Sequence, residues 1–362
     1  MEQSQPTSGI LDLIIQPAFT VKDGVIDLVN EAAGRYHLEP GTCISDMLAT
    51  GEEEYAELAE GCLYLSLSLA GVPTGASVRR MDGFDLFTLE QEADQAELQA
   101  MALAAQELRM PLSNVLSVAD QLFPVAGEGE NPEMQAQISK INRGLFQMLR
   151  IVSNMSDAYQ YAQQTKARMA VVNVTALMEE IFEQSAELLR HGGTQLHFTN
   201  LPQDIFSLAD REKLERAVHN IISNGVKFAP KGSPIHARLT RRGDMLYLSV
   251  QDEGNGIRPE LRGNVHARFR RQPMLEDSRF GIGLGMVLIR SAAAIHGGTV
   301  LIDHPDGAGT RLTMSMAINQ NTDSVVCSGM LQVDYAGERN HCLIELSDVL
   351  PNPLYESGKI NG

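Results

Sequence analysis

A helix-like stretch, a strand-like stretch and a glycine-opened stretch follow one another over residues 213–298, and that order admits few folds. In KLERAVHNIISNGVKF, residues 213–228, Leu214, Ala217, Ile221, Gly225 and Phe228 recur at three- and four-residue spacing, the stripe of an amphipathic helix. Asn220, Asn224 and Lys227 stand at i, i+4 and i+7, so two amides and an ammonium share one face. In the next stretch Leu246, Leu248, Val250 and Asp252 have one parity, which turns the carboxylate towards the apolar side of a strand. A carboxylate there is costly unless a donor meets it, and an adenine amino group would serve. FGIGLGM then carries Gly281, Gly283, Leu284 and Gly285 into a helix that Gly297 and Gly298 terminate. Glycines at a helix start let backbone amides come close to phosphate. The bland alternative is a packed α/β domain with incidental glycines.

The three motifs in this order closely resemble the ATP-binding domain of bacterial sensor histidine kinases, a fold shared with gyrase. The resemblance implies ATP or ADP with Mg²⁺ as cofactors. It assigns Asn224 to the metal, Asn220 and Lys227 to the phosphates, and Asp252 to adenine. Gly254, Gly256, Gly281, Gly283, Leu284 and Gly285 would shape the pocket and its lid, and Thr310 would close it after Gly309. The family's phenylalanine box is eroded to HARFRR, with Phe269 retained.

The same resemblance exposes a departure upstream. The family carries its phosphorylated histidine in His-Glu-Leu-Arg-Thr-Pro-Leu on a two-helix dimerisation unit. This chain reads Gln106-Glu107-Leu108-Arg109-Met110-Pro111-Leu112. Gln106 is an amide and no useful nucleophile, and Met110 cannot orient a water as Thr or Asn would. No histidine lies between His37 and His191, so a register slip cannot restore the site. Gln106, Glu107 and Met110 therefore form a degenerate box, with autophosphorylation expected to be absent.

At 362 residues the chain has room for several domains with their own cores. There is no apolar run of about 18 residues, and the start lacks a basic segment before an apolar one, so no membrane span or signal peptide is expected. Cys43, Cys62, Cys327 and Cys342 form no CxxC pair or metal spacing, which suits a reducing cytoplasm. The net charge of -17 argues against nonspecific nucleic-acid binding. It is unevenly placed: residues 1–62 hold 12 acidic and 2 basic side chains, a balance of -10, whereas 204–311 hold 12 acidic and 16 basic, a balance of +4. Arg268, Arg270, Arg271 and Arg279 beside the expected lid suit a polyphosphate as a group, whereas any one of them alone reads first as a solvated surface charge.

Residues 9–83 resemble the opening of a PAS sensor domain: strand, Lys-Asp-Gly turn, strand, then Asn30 placed to cap a short helix. CLYLSLSL and FDLFTLE would supply further strands. No cysteine motif for flavin attachment is present, and His37 reads as an ordinary histidine rather than a haem ligand. Residues 84–165 read as a helical hairpin. Leu98, Met101, Ala105, Leu108, Leu112, Val115, Ala119 and Leu122 alternate three- and four-residue steps, as do Ile138, Ile141, Leu145, Met148, Val152, Met155 and Tyr159. Two such seams from each of two chains make a four-helix bundle; a lone pair leaning on other domains is the alternative. Residues 171–318 form the ATP-binding domain, an α/β sandwich. In 319–362, MLQVDY and HCLIEL flank a turn-like AGERN, which predicts a β-hairpin.

The expectation is an α+β multidomain chain: a PAS-like sensor, a dimerisation hairpin and an ATPase domain. It would be a cytoplasmic homodimer, a degenerate sensor kinase regulating a two-component pathway through a response regulator or a competent histidine kinase. The alternative is an active ATP-dependent protein kinase that phosphorylates a partner.

Overall fold

The computed structural model describes residues 11, 13–90, 93–122, 132–162, 167–256, 284–305, 309–319, 340–356 and 360. The chain begins with a hairpin of β1 (Ala18–Lys22) and β2 (Val25–Val29). Its turn residues Asp23 and Gly24 have φ of 52° and 81°, the left-handed pair that a tight hairpin demands. Asn30 follows as the cap expected of it, its Oδ1 accepting from Ala33 N and Ala18 N, each at 3.0 Å. Its Nδ2 donates to Ile14 and Gln16 carbonyls, which anchors the segment preceding β1. A short 3₁₀ turn, Glu31–Tyr36, and the one-turn helix α1 (Glu52–Ala56) lead to β3 (Cys62–Leu69), β4 (Val72–Met81) and β5 (Phe84–Leu89). These strands pair antiparallel in the order β2-β1-β5-β4-β3. The alternation Leu63, Leu65, Leu67, Leu69 puts one face of β3 into a core with Phe19, Ile26 and Phe87. Phe19 stacks on Phe87 at 4.8 Å.

Two long helices follow, α2 (Ala93–Leu122), with Pro111 in its interior, and α3 (Pro132–Ala162). Their seams are only half buried. Leu98, Ala105, Leu112 and Ala119 of α2, and Leu145 and Val152 of α3, are buried, whereas Leu108, Val115, Ile141 and Met148 are 46–52% exposed. Leu108 and Val115 on α2, and Ile141 and Met148 on α3, are thus left to solvent between buried or half-buried rungs of the same seams.

The rest of the sheet belongs to residues 170–317. A two-stranded ladder of β6 (Ala170–Asn173) and β8 (Phe206–Ala209) flanks helix α4 (Val174–Arg190), and β7 (Leu196–Thr199) precedes β8. Asp210 caps helix α5 (Arg211–Phe228), accepting from Lys213 N at 3.2 Å. Strands β9 (Ile235–Arg242) and β10 (Met245–Asp252), helix α6 (Gly285–Ile295), and strands β11 (Val300–Asp303) and β12 (Thr310–Ala317) complete this unit. The full order, β2-β1-β5-β4-β3-β11-β12-β10-β9-β7, makes one ten-stranded sheet. The join is the antiparallel pair β3–β11, with Tyr64, Leu63 and Cys62 opposite Val300, Leu301 and Ile302. Among the described residues no helix is long and apolar enough to cross a membrane.

One expectation fails. His341–Glu345 is a short helix, α7, rather than the second strand of a hairpin. Asn340 caps it through Leu343 N at 3.2 Å, and Cys342, Leu343, Ile344 and Leu346 are buried, which a solvent-facing strand would not allow. The first strand of that hairpin, 330–335, lies outside the described residues.

Candidate functional site

Helix α5 presents the amide face. Its apolar stripe, Leu214, Ala217, Ile221 and Gly225, is buried, which holds Asn220, Asn224 and Lys227 in one orientation. Asn220 is 2% exposed; its Nδ2 donates to Arg216 O at 2.8 Å, and its Oδ1 accepts from Arg150 Nη2 of α3 at 3.2 Å. A Cβ on Gly285 would stand 2.9 Å from that same Oδ1, so only glycine lets the start of α6 approach so closely. Leu284, at the N-cap of α6, is buried and supplies no side-chain cap, which leaves the first amides of α6 to other partners. Asn224, one turn on from Asn220, is partly exposed.

Asp252 ends β10 on its buried face, after Leu246, Leu248 and Val250. Its Oδ1 accepts from Gly254 N at 2.7 Å and Thr310 N at 3.2 Å, while Oδ2 accepts from none of the described residues. Burial pushes the Asp252 carboxyl up, against those two amides. Gly254 is required at its position, because a Cβ there would meet Phe228 O at 2.5 Å and Asp252 Oδ1 at 2.7 Å. Gly256 adopts φ 68° beside His304, whose Nδ1 bonds Gly309 O at 2.8 Å. Gly309 N in turn donates to Gly254 O at 3.0 Å, tying the two glycine turns together. The result is a recessed carboxylate with one oxygen unclaimed among the described residues, flanked by glycine turns.

Lys227 shows what the cationic end of the face accepts. Its Nζ lies 2.6 Å from Asp348 Oδ2, which also receives Arg150 Nη1 at 2.5 Å. Burial, with Arg150 alongside, pulls the Lys227 ammonium down, against the attraction of Asp348. Burial alone would raise the Asp348 carboxyl, but Arg150 and Lys227 hold it below the usual range. Asp348 is therefore a carboxylate held between the Lys227 and Arg150 side chains. Sequence reasoning missed Arg150 and Asp348; neither belongs to a recognisable motif, and they meet Lys227 only through the tertiary fold.

Gly281 and Gly283, and the HARFRR box with Phe269, Arg268, Arg270, Arg271 and Arg279, lie outside the described residues. Gln106, Glu107 and Met110 are exposed on α2, and none of them bonds to Asn220, Asn224 or Lys227 among the described residues. The geometry thus brings together an amide face, a lysine, a recessed carboxylate and an uncapped helix start. Such a set can hold an anion at one end and an amino-bearing ring at the other.

Residues 209–320 match the family described as Histidine kinase-, DNA gyrase B-, and HSP90-like ATPase. Similar proteins include the histidine protein kinase DivJ of Caulobacter vibrioides, 29% identical over 245 residues, covering 63% of this chain and 40% of DivJ. The sensor histidine kinase WalK of Bacillus subtilis is 26% identical over 252 residues, covering 65% of this chain and 39% of WalK. A solved structure of full-length ShkA in complex with AMPPNP is 20% identical, with a TM-score of 0.48, covering 61% of this chain and 46% of that one. The chain spans well under half the length of either curated relative.

Proposed function

Because the chain belongs to the histidine kinase family, we propose that it is a Mg-ATP- or Mg-ADP-binding regulator of a two-component pathway that does not phosphorylate itself at position 106. The observation that carries the nucleotide reading is Asp252. A buried carboxylate with Oδ1 accepting from two amides and Oδ2 unclaimed among the described residues is shaped for a further donor, such as an adenine amino group. Asn224 would hold Mg²⁺, and Asn220, Lys227 and the start of α6, at Leu284 and Gly285, would hold phosphates. Gly254, Gly256 and Thr310 line the base end, and Gly281 and Gly283 belong to the expected lid. Bound Mg²⁺ would neutralise phosphate charge; the chain's own residues position the nucleotide and exclude water.

The half-buried seams of α2 and α3 support a homodimer, since a second hairpin would cover Leu108, Val115, Ile141 and Met148. A five-stranded antiparallel sheet with short helical segments between β2 and β3 supports a PAS-like sensor, and its fifth strand, β5, carries that unit to Leu89, beyond the expected boundary at residue 83. On this reading the two long helices that follow β5, up to residue 165, are the dimerisation unit and 171–318 the ATP-binding domain. The free thiols of Cys43, Cys62 and Cys342 suit a cytoplasmic setting. With Gln106 unable to take a phosphoryl group, output would pass through a bound response regulator or a competent kinase. Calorimetry of the full chain with Mg-ADP tests the nucleotide reading: binding in the micromolar to millimolar range is expected, and no heat at millimolar nucleotide overturns it.

A further inference from the structure

Residues 340–356 lie beyond the segment that matches the ATPase family, yet they are built into the helical layer. Tyr355 is fully buried, its ring 5.3 Å from Phe146 of α3 and its hydroxyl donating to Leu343 O at 2.8 Å. Helix α3 grips the backbone of this tail. Asn142 Nδ2 donates to Tyr355 O at 3.0 Å, and Arg143 donates to Ser347 O at 3.0 Å and Asp348 O at 3.1 Å.

The grip delivers two carboxylates to buried cations. Asp348 Oδ2 joins Arg150 and Lys227, and Glu345, 2% exposed, lies 3.7 Å from Arg150 and 3.4 Å from Arg216. Among the described residues, Arg216 alone of these three cations has another acidic partner outside the tail, Asp157 at 2.5 Å. With the tail withdrawn, Arg150 and Lys227 would lose their only carboxylate partners among the described residues, an arrangement that favours another anion in the same place. Lys227 shares the amide face with Asn224, and Arg150 already bonds Asn220, so the anion would sit where phosphates were assigned above.

We propose that the C-terminal tail is a built-in competitor of nucleotide: Asp348 stands in for a nucleotide phosphate on Lys227 and Arg150, and nucleotide binding displaces the tail. Arg150, contributed by the dimerisation hairpin, then becomes a phosphate contact and links nucleotide occupancy to the way α3 rests on the ATP-binding domain. The inference rests on the nucleotide reading.

The test uses the full chain and two variants. Asp348→Asn keeps the shape and removes the charge. Arg143→Ala loosens the grip on the tail without touching the nucleotide face. Calorimetric titration with Mg-ADP should show both variants binding several-fold more tightly than the wild type. Hydrogen exchange in peptides covering 340–356 should rise when the wild type is saturated with Mg-ADP. Equal affinities in all three proteins, with tail exchange unchanged by nucleotide, would make the tail a static part of the fold and overturn the proposal. If none of the three binds Mg-ADP, the nucleotide reading itself falls and the competition falls with it.

Discussion

Gly61 lies so close to the carbonyl oxygen of Ile302 that a Cβ built on it would fall well inside van der Waals contact, and it adopts φ 109°. That glycine is where β3 meets β11 and the N-terminal sheet becomes continuous with the ATPase sheet. Glu54 reinforces the seam, its Oε1 accepting from Ser315 Oγ at 3.2 Å. Gly61→Val should open it, since strain at such a φ alone costs on the order of 1–3 kcal/mol. Hydrogen exchange at Val300–Ile302 should rise while β1, β2 and β5 stay protected. Unchanged protection at β11 would show that the seam tolerates a side chain there.

Asp252→Asn should weaken Mg-ADP binding by roughly 10- to 100-fold, the effect of about 1.5–3 kcal/mol for one hydrogen bond to a charged group in a buried site. Thermal stability should change little, because an Asn Oδ1 still accepts from Gly254 N and Thr310 N. Asn224→Ala should instead reduce the gain in affinity that Mg²⁺ brings. Titrations with and without Mg²⁺ separate the two effects, and identical losses in both variants would contradict the roles assigned.

The amide face and the Asp252 corner were legible because each rests on local periodicity: 3.6 for α5 and 2 for β10. Their partners were not. Lys227 and Asp348 are 121 residues apart, and no spacing rule links them. HCLIEL was misread for a related reason. Its six residues are too few for period 2 to be told from period 3.6, and what makes the first five helical is the Asn340 cap together with burial against α3, α4 and α5. The dimerisation seams were legible as heptads, but which rungs the chain covers by itself depends on how α2 and α3 pair.

Stability should fall between the ordinary histidine pKa and about pH 4. Burial pushes His219 down to about 4; Glu345 and the Glu215 carbonyl oppose the shift, while Arg150 and His341 add to it. A histidine depressed in the folded state contributes nothing to pH dependence above its unfolded value of 6.5, and costs stability as the pH drops through that window. The full shift corresponds to roughly 3 kcal/mol. His219→Leu should therefore lose less stability than the wild type between about pH 7 and about pH 4.5 in urea denaturation. The slope should persist in part, because burial also lowers His296. Parallel curves for the two proteins would remove His219 from the acid response.

Leu108→Asp combined with Val115→Asp should separate the dimer without unfolding the chain. In a single chain these side chains are 49% and 52% exposed, so a carboxylate at either position remains solvated. In a four-helix bundle the pair would bury four unpaired carboxylates per dimer, a prohibitive cost. Light scattering should find a folded monomer for the double variant and a dimer for the wild type. A wild type that is monomeric at micromolar concentration would contradict the bundle.

Incubation with γ-labelled ATP should leave no acid-labile, base-stable label on the wild type. Gln106 is exposed on α2, where an amide offers no lone pair basic enough to attack a phosphoryl group. Glu107, next to it, has no imidazole proton to remove, and Met110, 68% exposed, has no polar group with which to orient a water for hydrolysis. Gln106→His restores the missing nucleophile beside an intact Glu107, so a small amount of acid-labile label is expected on the variant. That label should increase when Asp348→Asn is added, because withdrawing the tail frees Lys227 and Arg150 for nucleotide. Robust acid-labile label on the wild type would mean that another histidine accepts the phosphoryl group. His219 is buried out of reach of a phosphoryl group, with its Nδ1 bonded to Glu215 O at 2.8 Å, which leaves an exposed histidine such as His191 to be tested by substitution.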